Sequence, residues 1–260
     1  MKPDLTSIEC DILVAGGGPA GVSCALAAAR CGAKVILCQD RPVLGGNASS
    51  EVRMHIVGAN GMSEGIPLQC EAREGGIIEE IRLHQCEQNP QRSPSMMDLH
   101  LYDLCRTEPN LTLMLNTTVN DAVVTDKRIQ SIKAVRLSTN DRFEITADVF
   151  VDCTGDGNLG YAAGAAYSMG REAATEYSET LATEQADNKT LGSTLLFQAR
   201  RHPAPMPFTP PPWARKISAE SLKHRPYGRP GGDLNLEYGF WWLEWGGELD
   251  TIKDNEVIRD

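Results

Sequence analysis

Three glycines, Gly16, Gly18 and Gly21, stand at the spacing G-x-G-x-x-G within C-D-I-L-V-A-G-G-G-P-A-G-V. The chemistry this spacing serves is the holding of a dinucleotide pyrophosphate. Gly16 permits a tight turn, Gly18 lets the backbone approach the phosphates, and Gly21 lets a helix pack on its strand. A second contact belongs to an acid at the end of the next strand, about 20 residues on, which binds the adenosine ribose. That place falls on Gln39, with Asp40 one residue later. Gln39 could serve through its amide, or Asp40 through a bulged strand end; one of them, not both, is expected to make the contact.

These residues work only if secondary structure places them. Residues 10–15 read as a short buried strand, rich in apolar and β-branched side chains. The helix that follows, to about Cys31, aims its N-terminus, roughly half a positive charge, at the pyrophosphate. Gly32 stops it, and residues 34–38 make the second strand. Residues 72–88 read as an amphipathic helix with Ile77, Ile78, Ile81 and Leu83 as its apolar set, and residues 96–105 as another. Short strand patterns then follow one another: L-T-L-M-L-N, V-N-D-A-V-V, I-Q-S-I-K-A-V-R-L and R-F-E-I-T. Turn formers Asp126-Lys127 and Asn140-Asp141 break them. A further buried strand, A-D-V-F-V-D-C, ends at Thr154-Gly155, and a helix continues over residues 161–169.

The segment D-R-P-V-L-G-G (40–46) resembles the acid-then-L-G-G signature of two-dinucleotide-binding-domain flavoproteins. The form T-G-D-G (154–157), followed by N-L-G-Y-A-A-G-A and with Cys153 in the usual alanine place, is similar to the FAD-dependent oxidoreductase family. That family is related to the flavoproteins of fumarate reductase and heterodisulfide reductase, and G-G-N-A-S-S-E-V-R-M-H (45–55) matches one branch of it well. The resemblance covers about residues 9–165. It implies an α/β fold: an FAD-binding Rossmann-type domain with a β-meander crossover over 9–170, then part of a second, substrate-side domain over 171–260. It implies FAD held by Gly16, Gly18, Pro19, Ala20, Gly21, Gln39 or Asp40, Arg41, Gly45, Gly46, Asn47, Ser49, Val119, Thr154, Gly155 and Asp156.

The loop after Gly46 runs toward the flavin ring in such proteins. There His55 is a candidate general base, its free pKa lying near neutrality. Arg53 is a candidate holder of a substrate carboxylate, or of the negative charge of reduced flavin. The structural alternative is an Arg53–Glu51 ion pair, with His55 capping local backbone. The implied reaction is hydride transfer between a small organic substrate and flavin N5, the cofactor supplying the electron chemistry. An FAD-binding subunit without catalysis, or a truncated fragment, is the second reading. An NAD(P)-dependent dehydrogenase is disfavoured by Gly45-Gly46 and the Thr154-Gly155 closure.

Composition narrows the class further. With 25 basic against 35 acidic side chains in 260 residues, a formal charge of −10, nucleic acid is not an expected partner. No apolar run of about 18 residues suggests a membrane span, and M-K-P-D-L-T-S-I-E-C-D is no secretory signal, so a cytoplasmic protein is expected. The eight cysteines, at 10, 24, 31, 38, 70, 86, 105 and 153, show no C-x-x-C spacing, so no metal or iron–sulfur site is expected. Cys24, Cys31 and Cys38 read instead as small buried thiols.

Past Gly170 the residues say less. Residues 176–188 read as a polar surface stretch and 190–199 as a strand entering the second domain. Six prolines within 203–212 require an extended loop. F-W-W-L-E-W (240–245) reads as core packing in preference to the lining of a flat ligand. No further glycine-rich segment of the kind that covers the flavin end follows, and 250–260 reads as a helix without a C-cap. The expectation is therefore an N-terminal part of a longer protein, holding the ADP half of FAD. An electron-transfer partner or a further C-terminal region would complete it.

Overall fold

The computed structural model describes residues 5–54, 56, 74–194, 202–214, 216, 218, 220, 244 and 245. The chain divides into two units, Met1–Tyr167 and Ser168–Asp260. The first contains β1 (Leu5–Ala15), α1 (Pro19–Arg30), β2 (Val35–Cys38), α2 (Ile77–Gln88), α3 (Pro94–Thr107), β3 (Leu111–Met114), β4 (Thr117–Thr125), β5 (Arg128–Arg136), β6 (Asp141–Asp152) and α4 (Asn158–Ala162). The strands make one six-stranded sheet in the order β3-β2-β1-β6-β5-β4. β1, β2, β3 and β6 pair in parallel, while β4 and β5 form an antiparallel meander that leads into β6.

Parallel strands need cover on both faces, and side-chain alternation along β1 and β2 provides for it. Val14, Val35 and Leu37 join Val22, Ala25, Leu26 and Ala29 of α1, Ile81 of α2, and Leu101 and Cys105 of α3. Leu13, Ala15, Ile36 and Cys38 turn the other way, to Ile132 and Ala134 of β5, Phe143 and Ile145 of β6, and Leu159 of α4. Each fully buried leucine or valine stabilises by about 1.5–3 kcal/mol. The β4–β5 hairpin turns at Asp126 and Lys127, whose φ values of 50° and 61° are those a two-residue hairpin loop prefers.

Four expectations change. β1 begins at Leu5, not Cys10, because L-T-S-I-E-C pairs in parallel with residues 142–147 of β6. R-F-E-I-T and A-D-V-F-V-D are one strand, since no turn former separates Thr146 from Ala147 and β1 offers pairing along its whole length. The helix expected over 161–169 ends at Ala162, where Gly164 at φ 74° reverses the chain and the Ala165 N–H reaches the Gly160 carbonyl at 2.9 Å, as helix C-termini commonly do. Cys31 is exposed at the C-cap of α1, whereas Cys38 is buried. Burial pushes the thiols of Cys38 and Cys105 up to about 12. Among the described residues, no His, Cys, Asp and Glu cluster could hold a metal ion, and no helix is long and apolar enough to cross a membrane.

α2 and α3 meet through a histidine pair. The rings of His84 and His100 stack with centroids 3.4 Å apart and 4° between planes. His100 is 8% exposed, and its Nε2 has no hydrogen-bond partner among the described residues. Burial, and then the neighbouring His84 ring, lower the His100 pKa from 6.5 to about 4, against the opposing pull of Glu80 and Asp103. The unfolded chain therefore binds a proton in a window where the folded chain does not. The stability from neutral His100 is complete above pH 6.5, falls as pH drops, and is lost below about pH 4. A loss on the order of 2 to 3 kcal/mol is expected across that window. Urea melts at stepped pH check this, and His100→Leu should flatten the dependence.

In the second unit, α5 (Ala174–Tyr177) is followed by the antiparallel pair β7 (Ser193–Thr194) and β8 (Glu244–Trp245). The 176–188 stretch is tied back by an Arg171–Asp187 ion pair and by bridges Arg171↔Asp187 and Ala173↔Thr183. Residues 202–214 carry neither helix nor strand, as their prolines dictate. The remainder of the 190–199 strand, residues 240–243 and residues 250–260 lie outside the described residues.

Candidate functional site

The carboxyl ends of β1 and β6 meet where the sheet order reverses, the place at which open α/β sheets take ligands. The glycine turn lies there. Gly16 sits at φ 98°, and a Cβ on it would collide with the Cys153 carbonyl. A Cβ on Gly21 would collide with the Gly16 carbonyl. Gly18 differs: its backbone is extended, φ −67° and ψ −178°, and a Cβ there would meet nothing within 4 Å among the described residues. Two of the three glycines thus allow the strand, turn and helix to touch, and the third leaves a space. α1 starts at that space with Pro19 in its first turn, no acidic residue beside it and no side-chain cap. Its first-turn N–H groups, at Ala20 and Gly21, have no preceding carbonyl to bond and carry the positive end of the helix dipole.

The loop after β2 is stitched to this turn. The Gly45 N–H donates to the Gly17 carbonyl at 2.8 Å. Gln39, 3% exposed, accepts from the Gly17 N–H on Oε1 at 2.7 Å and donates from Nε2 to the Val43 carbonyl at 3.1 Å. Asp40 and Arg41 are exposed. Glu51 pairs with Arg41 at 2.9 Å, not with Arg53, and this ion pair holds the Arg41 guanidinium above its ordinary pKa. Arg53 has a left-handed φ of 64° and donates from Nε to the Ser50 carbonyl at 3.1 Å. Its other guanidinium nitrogens have no partner among the described residues. His55 lies outside the described residues.

The third wall comes from the meander and the Thr-Gly turn. β4 is the edge of the sheet, and its first residues reach the site. Asp152 organises the turn. Its Oδ1 accepts from the Thr154 N–H at 3.0 Å and hydroxyl at 2.7 Å, and its Oδ2 accepts from the Gly160 N–H at 2.8 Å. The Thr154 hydroxyl in turn accepts from the Asn158 N–H at 2.9 Å. Partial burial pushes the Asp152 carboxyl up, but these hydrogen bonds outweigh it and hold the pKa below the usual range.

Together these walls enclose a cleft of about 460 Å³, within the roughly 300–1,000 Å³ of small-molecule sites. Of the residues expected there, Gly16, Gly18, Pro19, Ala20, Gln39, Asp40, Arg41, Gly46, Asn47, Val119, Thr154, Gly155 and Asp156 line it. Gly21 and Gly45 do not; they pack against their neighbours. Nor does Ser49, which is fully buried and spends its hydroxyl on the Gly46 carbonyl at 2.7 Å. Thr117, Thr118 and Asn158 line the cleft unforeseen. So does Gly17, inside the glycine run itself. The carboxylate of Asp152 could have been found from D-x-T at a strand end, a pattern that favours side-chain-to-backbone bonds.

Residues 11–251 match the model of the FAD dependent oxidoreductase family. The chain belongs to that family. No curated protein matches the chain. Among solved structures it is similar to L-proline dehydrogenase from P. horikoshii, at 18% identity and TM-score 0.35, over 58% of this chain and 23% of that one. It is also similar to a geranylgeranyl bacteriochlorophyll reductase-like protein from Thermoplasma acidophilum, at 18% identity and TM-score 0.42, over 61% and 42%. A third is E. coli quinol fumarate reductase, at 17% identity and TM-score 0.36, over 57% and 33%. The chain therefore spans under half the length of each.

FAD is the cofactor that goes with membership of this family, and the first unit is an FAD-binding Rossmann-type domain. The residues present fit it. A Cβ at Gly18 would stand in the cleft at the start of α1, where an uncapped helix N-terminus meets an open space large enough for phosphate.

Proposed function

We propose that this chain is the dinucleotide-binding part of an enzyme that moves a hydride between a small organic substrate and flavin N5. When bound, FAD supplies the electron chemistry. The protein's own residues bind and orient. Main-chain N–H groups at the start of α1 hold the pyrophosphate, with Gly18 giving them room. Asp40, exposed at the end of β2, takes the adenosine ribose. The edge main chain of β4 near Val119 takes the adenine, and the turn at Thr154–Asp156, with Asn47 opposite, holds the middle of the cofactor. Arg53, whose other guanidinium N–H groups have no partner among the described residues, is proposed to hold an anionic substrate group or negative charge on the ring. A left-handed arginine is uncommon backbone, and such strain tends to gather at working sites. His55 is proposed as the proton acceptor on its chemistry alone. Residues 171–260 are proposed as part of the substrate side.

The open space at Gly18, beside two glycines that have none, is the observation that carries this reading. The test is the absorbance spectrum of the purified chain with mass identification of what heat releases from it. Anaerobic mixing with small alcohols, amines and hydroxy acids should then bleach the flavin band for at least one class. Protein that carries no flavin and gains none from added FAD would overturn the proposal. Flavin that is bound but reduced by no substrate would favour a binding subunit without catalysis.

A further inference from the structure

The residue at the ribose-acid position is an amide, and its surroundings use both of its ends. Gln39 Oε1 accepts from the Gly17 N–H at 2.7 Å, while Nε2 donates to the Val43 carbonyl at 3.1 Å. Its main chain is also engaged: its N–H donates to the Met114 carbonyl at 2.9 Å, and its carbonyl accepts from Thr117 at 2.8 Å. A Cβ on Gly17 would come within 3.0 Å of the Gln39 Cβ, so the side chain lies flat against the glycine turn. At 3% exposure it has little surface left for a ligand. Asp40, next along, is exposed and lines the cleft.

We infer that Gln39 is a positioning residue that clamps the glycine turn to the loop after β2, and that ribose recognition has moved to Asp40. The inference rests on the proposed FAD site and says how this chain builds it. A carboxylate could not replace the amide. It would accept from Gly17 as before, but it would set negative charge against the Val43 carbonyl, which needs a donor. A ribose ligand has the opposite preference, since sugar hydroxyls donate well to a carboxylate.

That difference gives the experiment. Gln39→Glu in the full chain is titrated with FAD, following flavin fluorescence, at about pH 8 and about pH 5.5. A carboxyl at this buried position titrates above its free value. When protonated it can accept from Gly17 and donate to Val43, as the amide does. The inference expects FAD binding about tenfold weaker or worse at the higher pH and within about threefold of wild type at the lower, with wild type changing little between them. Gln39→Glu that binds FAD as tightly as wild type at about pH 8 would overturn it. So would a loss of binding that is the same at both pH values. Asp40→Ala, at an exposed position that folding does not need, serves as the second variant. It should weaken FAD about tenfold at either pH, and an unchanged affinity would equally overturn the inference. Wild-type chain that takes up no FAD would instead defeat the proposed function itself.

Discussion

Gly21→Val should yield no folded first unit. The Cβ alone would enter the carbonyl oxygen of Gly16 and come within 3.3 Å of the Cys153 Cβ. Neither neighbour can retreat. Gly16 is itself confined, its own hydrogen atom facing the Cys153 carbonyl, and Cys153 is held by its N–H bond to the Ala15 carbonyl at 2.7 Å. Relief would require α1 to lift from β1, which uncovers Val22, Ala25, Leu26 and Ala29, all 0% exposed. Overpacking of a core usually costs about 1–3 kcal/mol. Here backbone meets backbone, and a loss of more than about 4 kcal/mol is expected, in the exceptional range for one substitution. Circular dichroism and urea melts of the variant check it; a native-like melt would show that α1 can shift without penalty.

Gly18→Val should do the reverse: the unit folds and FAD is lost. The backbone at Gly18 is extended and suits a β-branched residue, and the first Cβ meets no atom of the described residues within 4 Å. Stability should change by less than about 1 kcal/mol, as for a substitution that breaks no contact. The isopropyl group would stand where the phosphates approach α1, so FAD affinity should fall by at least about a hundredfold. Equilibrium dialysis with FAD, beside a thermal melt, separates the two effects. Three residues apart in one motif, two glycines are expected to fail in opposite ways. Stoichiometric FAD on the Gly18→Val protein would place the pyrophosphate elsewhere.

Sequence patterns carried the glycine turn, the hairpin at Asp126-Lys127 and the alternating strands, because each is a local rule about φ, period or bulk. The family resemblance named most of the residues that line the cleft, which come from the ends of those elements. What the patterns did not carry depended on distant partners. Leu5 to Glu9 stood outside the expected strand, which began at Cys10, yet they form strand because β6 lies alongside. Gln39 became a clamp through two main-chain groups, and a backbone carbonyl such as that of Val43 leaves no signature in residue type. Ser49 was named through the family resemblance, and its burial at 0% exposure, with its hydroxyl on the Gly46 carbonyl, depends on packing that residue type does not signal. Glu51 had two arginines within reach of its loop, and only the fold chose Arg41.

The pairing of β1 with β6 also sets an order of events during synthesis. β1 leaves the ribosome before the other strands of this unit, and β2, some 20 residues on, can join it as soon as α1 has formed. The other side of β1 must wait, because its partner spans Asp141–Asp152. Loop closure over such a separation is slow relative to local contacts, so the nascent chain holds a strand with one unmet edge for most of the unit's length. The Gly16–Cys153 contact completes the cofactor turn only after that edge is filled. Flavin loading on this chain is thus a late event, and a nascent chain arrested before residue 141 should retain none.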